Sequence, residues 1–276
     1  PDLEPGSFYD YRVVVDGQAH EPPDDARLRT QPLWRWQSNP PVPPDLTIAV
    51  GSCSYVNEAA YDRAGDPWGG GYSIFDRIAD TRPDFMLWLG DNVYFREVDW
   101  QSRSGLLYRY TYERRLPELQ RLLATTRHYA TWDDHDYGPN DSDRSYELQG
   151  EALDLFSRFW VNPSAGLPAT PGVFTRFTWG DVEVFLLDNR YHRAASRAPD
   201  GPDKPYFGDA QLAWLIDGLT SSTATFKLVA AGGQFVNDLH RFEHYGQFDD
   251  ERQRLFAALV ERRIPGVVFL SGDRHH

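Results

Sequence analysis

The sequence predicts an α/β fold in which a mixed, largely parallel sheet carries helices on its faces. Short apolar runs recur along most of the chain, at residues 46–50, 85–89, 128–132, 182–187, 226–231 and 267–270. Runs without polar alternation suit strands covered on both sides. Segments of helical period separate them, at 74–79, 106–123, 151–159, 210–219 and 252–262, and strand–helix alternation is how parallel sheets are connected. One pair departs from this rule: 174–179 and 182–187 are joined only by Gly180 and Asp181, a hairpin connection, so the sheet is mixed.

Ahead of these elements, residues 8–15 alternate, with Tyr9, Tyr11, Val13 and Val15 on one side, and Asp16-Gly17 forms a turn after them. A second strand at 27–30 completes a hairpin. A hairpin alone is marginal, so residues 1–30 are expected to be the remnant of a small N-terminal β module packed on the main body. Residues 31–45 carry Pro32, Pro40, Pro41, Pro43 and Pro44, which break helix and central strand alike, and read as a linker pinned at Trp34 and Trp36. Residues 46–276 form the catalytic domain. The chain opens at Pro1 without a basic, apolar and small-residue leader, which suggests trimming. It ends on Arg274, His275 and His276, six residues past the apolar run at 267–270, an ending abrupt enough that continuation of the domain is expected.

Composition narrows the function. A chain of 276 residues buries ~75% of its unfolded surface, a core large enough for a rigid site. No apolar run is long enough to span a bilayer. One cysteine cannot form an internal disulfide. With 41 acidic against 28 basic side chains and a net charge of −13, nucleic acid and anionic membrane are excluded as electrostatic partners. An anionic substrate would need a local positive charge, and a metal ion can supply it.

The chemistry collects just past the strands. Gly51, Ser52 and Cys53 follow the first run; Gly90, Asp91, Asn92 and Tyr94 the second; Asp133, Asp134, His135 and Asp136 the third. Then come Asp188 and Arg190, Gly232, Gly233 and Gln234, and Gly272, Asp273, Arg274 and His275. In open α/β sheets the carboxyl ends of the strands share one edge, where ligands bind. Taken singly, each has a bland explanation: Gly-Asp makes turns, a cysteine beside a strand is a small hydrophobe, a loop histidine is a bystander. Together, carboxylates crowded at one rim repel unless cations or protons intervene, and imidazole, phenolate and thiolate are metal donors. Oxygen, nitrogen and one sulfur suit two unlike ions better than one structural zinc. Paired cations serve phosphate-ester hydrolysis, where they polarise the ester and generate hydroxide near neutral pH.

At these residues the chain resembles the alkaline phosphatase D family of metallophosphoesterases. The matching stretches are GSCSYVN at 51–57, DFMLWLGDNVY at 84–94, WDDHDYGPND at 132–141, LLDNRYHR at 186–193 and FLSGDRHH at 269–276. Asp134 stands where the wider superfamily has asparagine, Asp273 where it has the first histidine of its last pair, and a cysteine replaces the opening Asp-x-His; all three departures are similar to the alkaline phosphatase D pattern. The resemblance implies a sheet sandwich flanked by helices, preceded by a small β-sandwich. It implies a binuclear or trinuclear site of Fe(III) plus Ca(II), with Zn, Mn or Mg as alternatives. The iron would be held by Cys53, Asp91 and Tyr94, Asp91 bridging, with Asp134, Asp273 and His275 as further ligands. It implies hydrolysis of small-molecule or polymeric phosphomonoesters and phosphodiesters, and an extracytoplasmic address.

His135 is expected to protonate or hydrogen-bond the departing alkoxide, with Asp136 or Asp133 orienting its ring. Arg190 and Asn140 are candidates for contacts to phosphate oxygens, and Arg190 has the competing reading of an ion pair with carboxylates. Gln234 and Asn237 are candidates for supporting positions. Ser52 lacks a nucleophile-elbow context. Two rival readings stand beside this one: a thiol hydrolase using Cys53 with His135, and a binding protein that keeps the fold without turnover. His275 and His276 also admit a reading as the start of a purification tag, against which the preceding residues match the family.

Overall fold

The computed structural model describes residues 2–23, 25–237 and 242–275. Four short strands come first: β1 (Phe8–Asp10), β2 (Val13–Val15), β3 (Gln18–His20) and β4 (Arg27–Arg29). The alternating segment expected as one strand is broken at Tyr11 and Arg12. Its second half closes a hairpin with β3 over Asp16 and Gly17, both at positive φ as such a tight turn demands, while its first half pairs with β4. Residues 31–45 form neither helix nor strand.

The remaining elements run β5 (Ile48–Gly51), α1 (Ile74–Asp80), β6 (Phe85–Leu89), α2 (Arg103–Glu113), α3 (Pro117–Thr125), β7 (His128–Thr131), α4 (Asp134–Tyr137), α5 (Gln149–Phe159), β8 (Thr175–Trp179), β9 (Val182–Leu186), α6 (Asp209–Ser221), β10 (Phe226–Ala231), α7 (Asp249–Glu261) and β11 (Val267–Ser271). The helix expected over 106–123 is two helices. Pro117 occupies the first turn of α3, where its missing N–H costs nothing, whereas inside a continuous helix it would remove a bond and clash.

The strands form two sheets. β5, β6 and β7 run parallel in one; β11, β10, β9 and β8 form the other, parallel except for the β8–β9 hairpin. Side chains sort by the two-residue period of a strand. On β6, Phe85, Leu87 and Leu89 face β9, whose Val182, Val184 and Leu186 complete the layer between the sheets. Met86 and Trp88 face the other way, onto Leu106, Leu119, Leu122, Leu155 and Phe156 of the helices. Phe185 of β9 and Val229 of β10 pack on Leu212, Leu215 and Leu255 of α6 and α7. The result is four layers, helices on each side of two stacked sheets, which is why the central strands read as unbroken apolar runs.

The sheets converge at the carboxyl ends of their strands. A side chain on Gly232 would bring a carbon 2.6 Å from Asp133 of the other sheet, and one on Gly272 would come to 2.1 Å from the Leu89 carbonyl oxygen. Only glycine permits that approach. Thr131 Oγ1 donates to the Leu187 carbonyl at 2.6 Å and Trp132 Nε1 to Asp188 at 2.7 Å, so hydrogen bonds cross between the sheets here. Among the described residues no helix is long and apolar enough to cross a membrane.

Candidate metal centre

The loops after β5 and β6 run side by side: Cys53 N–H donates to the Gly90 carbonyl at 3.2 Å and Ser54 N–H to the Asp91 carbonyl at 2.8 Å. Cys53, Asp91 and Asp273 all have positive φ, at 59°, 51° and 70°. Non-glycine residues pay about 1–3 kcal/mol for such backbone and tolerate it where the surroundings over-determine it, commonly at functional sites. Three strand-end residues therefore turn back toward one point.

Their side chains meet. Tyr94 Oη donates to Asp91 Oδ2 at 3.2 Å, Cys53 Sγ lies 3.7 Å from the same oxygen, and His275 Nε2 is 3.5 Å from Tyr94 Oη. The Asp273 backbone N–H bonds the Cys53 sulfur. Ligand atoms of Asp91, Asp134 and His135 lie within 4.8 Å of one another, as do those of Asp134, Asp141 and Glu243. All six residues expected as ligands, Cys53, Asp91, Tyr94, Asp134, Asp273 and His275, thus stand at the same rim; His276 lies outside the described residues.

Electrostatically the rim is divided. Burial, followed by repulsion from Asp134 and Asp133, pushes the Asp91 carboxyl well above the carboxylate range. Burial lifts Asp273 to about 7. Tyr94 is driven strongly upward by burial and by the charges of Asp91 and Cys53, and burial raises the Cys53 thiol. Asp91, Tyr94 and Cys53 gain no compensating cation, whereas Asp273 pairs with Arg274 at 3.1 Å and is also drawn down by Arg190. On the other side, Arg190 is buried with Nε 2.6 Å from Asp133, Nη1 2.8 Å from Glu243 and Nη2 3.7 Å from Asp134. Arg193 lies 2.6 Å from Glu243. There, despite burial, the arginines hold Asp134 and Glu243 below their ordinary values. Arg190 thus pairs with carboxylates in the interior, not at the surface.

His135 lies at the start of α4 with its N–H 3.3 Å from Asp91 Oδ1 and its ring stacked on Tyr94, centroids 4.4 Å apart. Neither aspartate expected to orient the ring does so. Asp136 accepts from Asp133 N–H at 2.6 Å and from Asn92 at 2.7 and 3.1 Å, tying the loops after β6 and β7 together. Asp133 is engaged by Arg190 and by Asn189 Nδ2 at 2.7 Å. Asn140 is exposed beside Asp141, whose N–H donates to Asp134 Oδ2 at 2.7 Å. Asn237 donates to Gln234 Oε1 at 2.7 Å.

Four residues that sequence reading passed over belong to this region. Glu243 and Arg193 complete the Arg190 network, while Arg96 and Glu113 stand behind Tyr94. Glu113 accepts the Tyr94 N–H at 3.2 Å and Arg96 donates to the Tyr94 carbonyl.

The donor set fits cations. Thiol, phenol, imidazole and carboxylates converge where burial resists charge and no basic side chain answers Asp91 or Tyr94, and such a set suits ions that take mixed oxygen, nitrogen and sulfur ligands.

A family model for PhoD-like phosphatase matches residues 48–276. Alkaline phosphatase D of Bacillus subtilis (strain 168) is 22% identical over 321 aligned positions, covering 99% of this chain and 52% of that protein. The chain thus spans about half the length of this curated relative. A solved structure of PhoD superposes with a TM-score of 0.78 at 20% identity, over 99% of this chain and 58% of that one. Purple acid phosphatase PPD1 from yellow lupin (Lupinus luteus) seeds gives 0.59 at 10% identity, over 99% and 45%. These likenesses establish a metallophosphoesterase-like mixed sheet sandwich flanked by helices.

Proposed function

The chain belongs to the PhoD-like phosphatase family, and from that premise we propose that it hydrolyses phosphoric esters, mono- or diesters, at a metal centre on the strand-end rim. The observation that carries the reading is the convergence of Cys53, Asp91, Tyr94 and His275 without a neutralising side chain. Bound ions would neutralise the ester and acidify a water, the chemistry that phosphoryl transfer needs most.

Asp91, near donor atoms of Cys53, Tyr94, His135 and Asp134, would be a central ligand for the ions. Asp134, Asp273 and His275 would complete the ligand set. A phenol donor such as Tyr94 favours a hard, strongly polarising ion, which supports ferric iron over zinc, manganese or magnesium at that position, as the family resemblance also implies. A hard, oxygen-preferring ion such as calcium suits the neighbouring carboxylates. His135, half-buried against Tyr94, would give a proton to the leaving alkoxide. The thiol-hydrolase alternative is disfavoured: burial raises the Cys53 thiol, and the His135 ring packs on Tyr94. An extracytoplasmic address and a polymeric or small-molecule ester as substrate are part of the same proposal, by family resemblance.

Metal analysis of the purified protein, with hydrolysis rates on one aryl monoester and one aryl diester before and after chelation, tests it. Activity should vanish in chelator and return with added ions. Undiminished turnover by metal-free protein would overturn the reading.

A further inference from the structure

Tyr94 lies in a stretch with neither helix nor strand to hold it. No ladder or helical bond fixes its backbone, yet a phenol serving as a metal donor must keep its oxygen in place to a fraction of an ångström. Side chains do the fixing. Glu113 Oε1 accepts the Tyr94 N–H at 3.2 Å, and Arg96 Nη1 donates to the Tyr94 carbonyl while lying 3.9 Å from the same Glu113 oxygen. One glutamate and one arginine thus take both backbone polar groups of one residue.

The pair is itself anchored. Arg96 is buried, with Nε 3.0 Å and Nη2 3.1 Å from Asp62 and Nη2 2.8 Å from the Val56 carbonyl. Asp62 accepts the Tyr55 hydroxyl at 2.7 Å, and the Arg96 guanidinium lies 4.2 Å over the Tyr55 ring. That ring in turn meets Tyr94 edge-on at 4.9 Å, opposing the His135 ring stacked at 4.4 Å. Glu113 projects from the buried face of α2 one turn after Arg109, which binds Glu58 and Asp99 at 2.8 Å each; Asp99 accepts the Arg96 N–H at 2.8 Å.

We infer that Arg96 and Glu113 are positioning residues that aim the Tyr94 phenol at the metal centre. The inference rests on the proposed metal reading of the rim. A buried arginine needs acceptors wherever it lies, and Asp62 and Val56 would satisfy that need; closure of both Tyr94 backbone groups by the same ion pair is what singles out the donor.

The test loads chelator-stripped protein with ferric iron and reads two quantities, the tyrosinate-to-iron absorption band and iron retention against a competing chelator. Wild type, Glu113→Ala, Glu113→Gln, Arg96→Lys and Tyr94→Phe are compared, each positioning variant also in the Tyr94→Phe background, with circular dichroism to verify folding. Glu113→Ala and Arg96→Lys should shift or weaken the band and lower iron retention about 10- to 100-fold, the usual effect of removing a group that orients a ligand. Glu113→Gln, which keeps an acceptor for the Tyr94 N–H, should restore most of it. In the Tyr94→Phe background the same changes should cost nothing further. Equal losses in both backgrounds would reduce the pair to a structural role and overturn the inference, as would an unmoved band in Arg96→Lys should Glu113→Ala fail to fold. Retention unaltered by Tyr94→Phe alone would refute the phenol as donor, and would thereby identify the metal reading, not the pair, as the point of failure.

Discussion

Asp91 and Asp134 follow paired strands, and both are buried at the same rim, yet one holds its proton well above the carboxylate range while the other is held below its ordinary value. The difference is not depth. Around Asp134 and Asp133 the chain brings its own counter-charge, Arg190, with Glu243 and Arg193 extending the network. Around Asp91, Cys53 and Tyr94 it brings none. A buried anion without a partner is unfavourable by several kcal/mol. A fold that gathers such groups on one side while neutralising those on the other reserves the first side for a cation from outside. That contrast can be broken at either end.

The largest effect is expected at the uncompensated side. Asp91→Asn keeps the volume and removes the charge shared by Cys53, Tyr94, His135 and Asp134, so bound metal and turnover should fall together, turnover by ~10³-fold or more, given the several kcal/mol an ion contributes to charge stabilisation. Elemental analysis with kcat on an aryl phosphate checks it, and full metal retention at normal rate would remove Asp91 from the centre. His135→Ala should separate the two readouts: metal content kept, kcat lowered by ~10² to 10⁴, as for a lost general acid.

At the compensated side the expected loss is stability. Arg190→Met strips Asp133 and Asp134 of their nearest guanidinium, leaves Glu243 with Arg193 alone, and should cost about 3–5 kcal/mol in urea unfolding, the range for removing one member of a buried ion network. If Arg190 instead met substrate, the variant would raise KM and leave unfolding unchanged.

The smallest effect sharpens the contrast through pH. Asp91 and Asp273 bind protons more tightly folded than unfolded, Asp273 titrating at about 7. Between the ordinary carboxylate range and about pH 7 the folded, metal-free protein therefore carries more protons than the unfolded chain, and its stability falls as pH rises. Asp134 and Glu243, depressed instead, add a loss only below the ordinary range. Thermal melts of stripped protein should decline by a few degrees from pH 5 to 7.5, and metal-loaded protein should decline less, the remainder coming from carboxyls such as Glu113, raised to about 8, that hold no metal. Parallel curves would mean that the raised carboxyls are not the metal ligands.

Much of this was legible in the sequence, and unevenly so. The strands of the sandwich could be read because both faces of each sheet are covered, leaving apolar runs that start and stop within a residue or two of the observed strands. The helix over 106–123 misled because its apolar period continues across Pro117, even though the proline itself was the signal for a new start. Site residues were readable where a strand ends in a short turn, which is how Cys53, Asp91, Tyr94, Asp134 and Asp273 came to notice. The pairing of Arg190 with Glu243, 53 positions away, leaves no local pattern. Glu113 is hidden more thoroughly: four residues after Arg109 on a helix, it has the spacing of an ordinary solvent-facing ion pair, and only the tertiary fold turns that face inward.

The glycines at the rim have a mechanical consequence. Where Phe85 and Trp179 pack, rings stand between the sheets with centroids 5.7 Å apart; at Gly232 and Gly272 the layers touch almost backbone to backbone. At such a seam no bulky side chain stands between the layers to repack, so donors carried by different sheets, Asp91 on one and Asp273 on the other, take their spacing from the main chain itself.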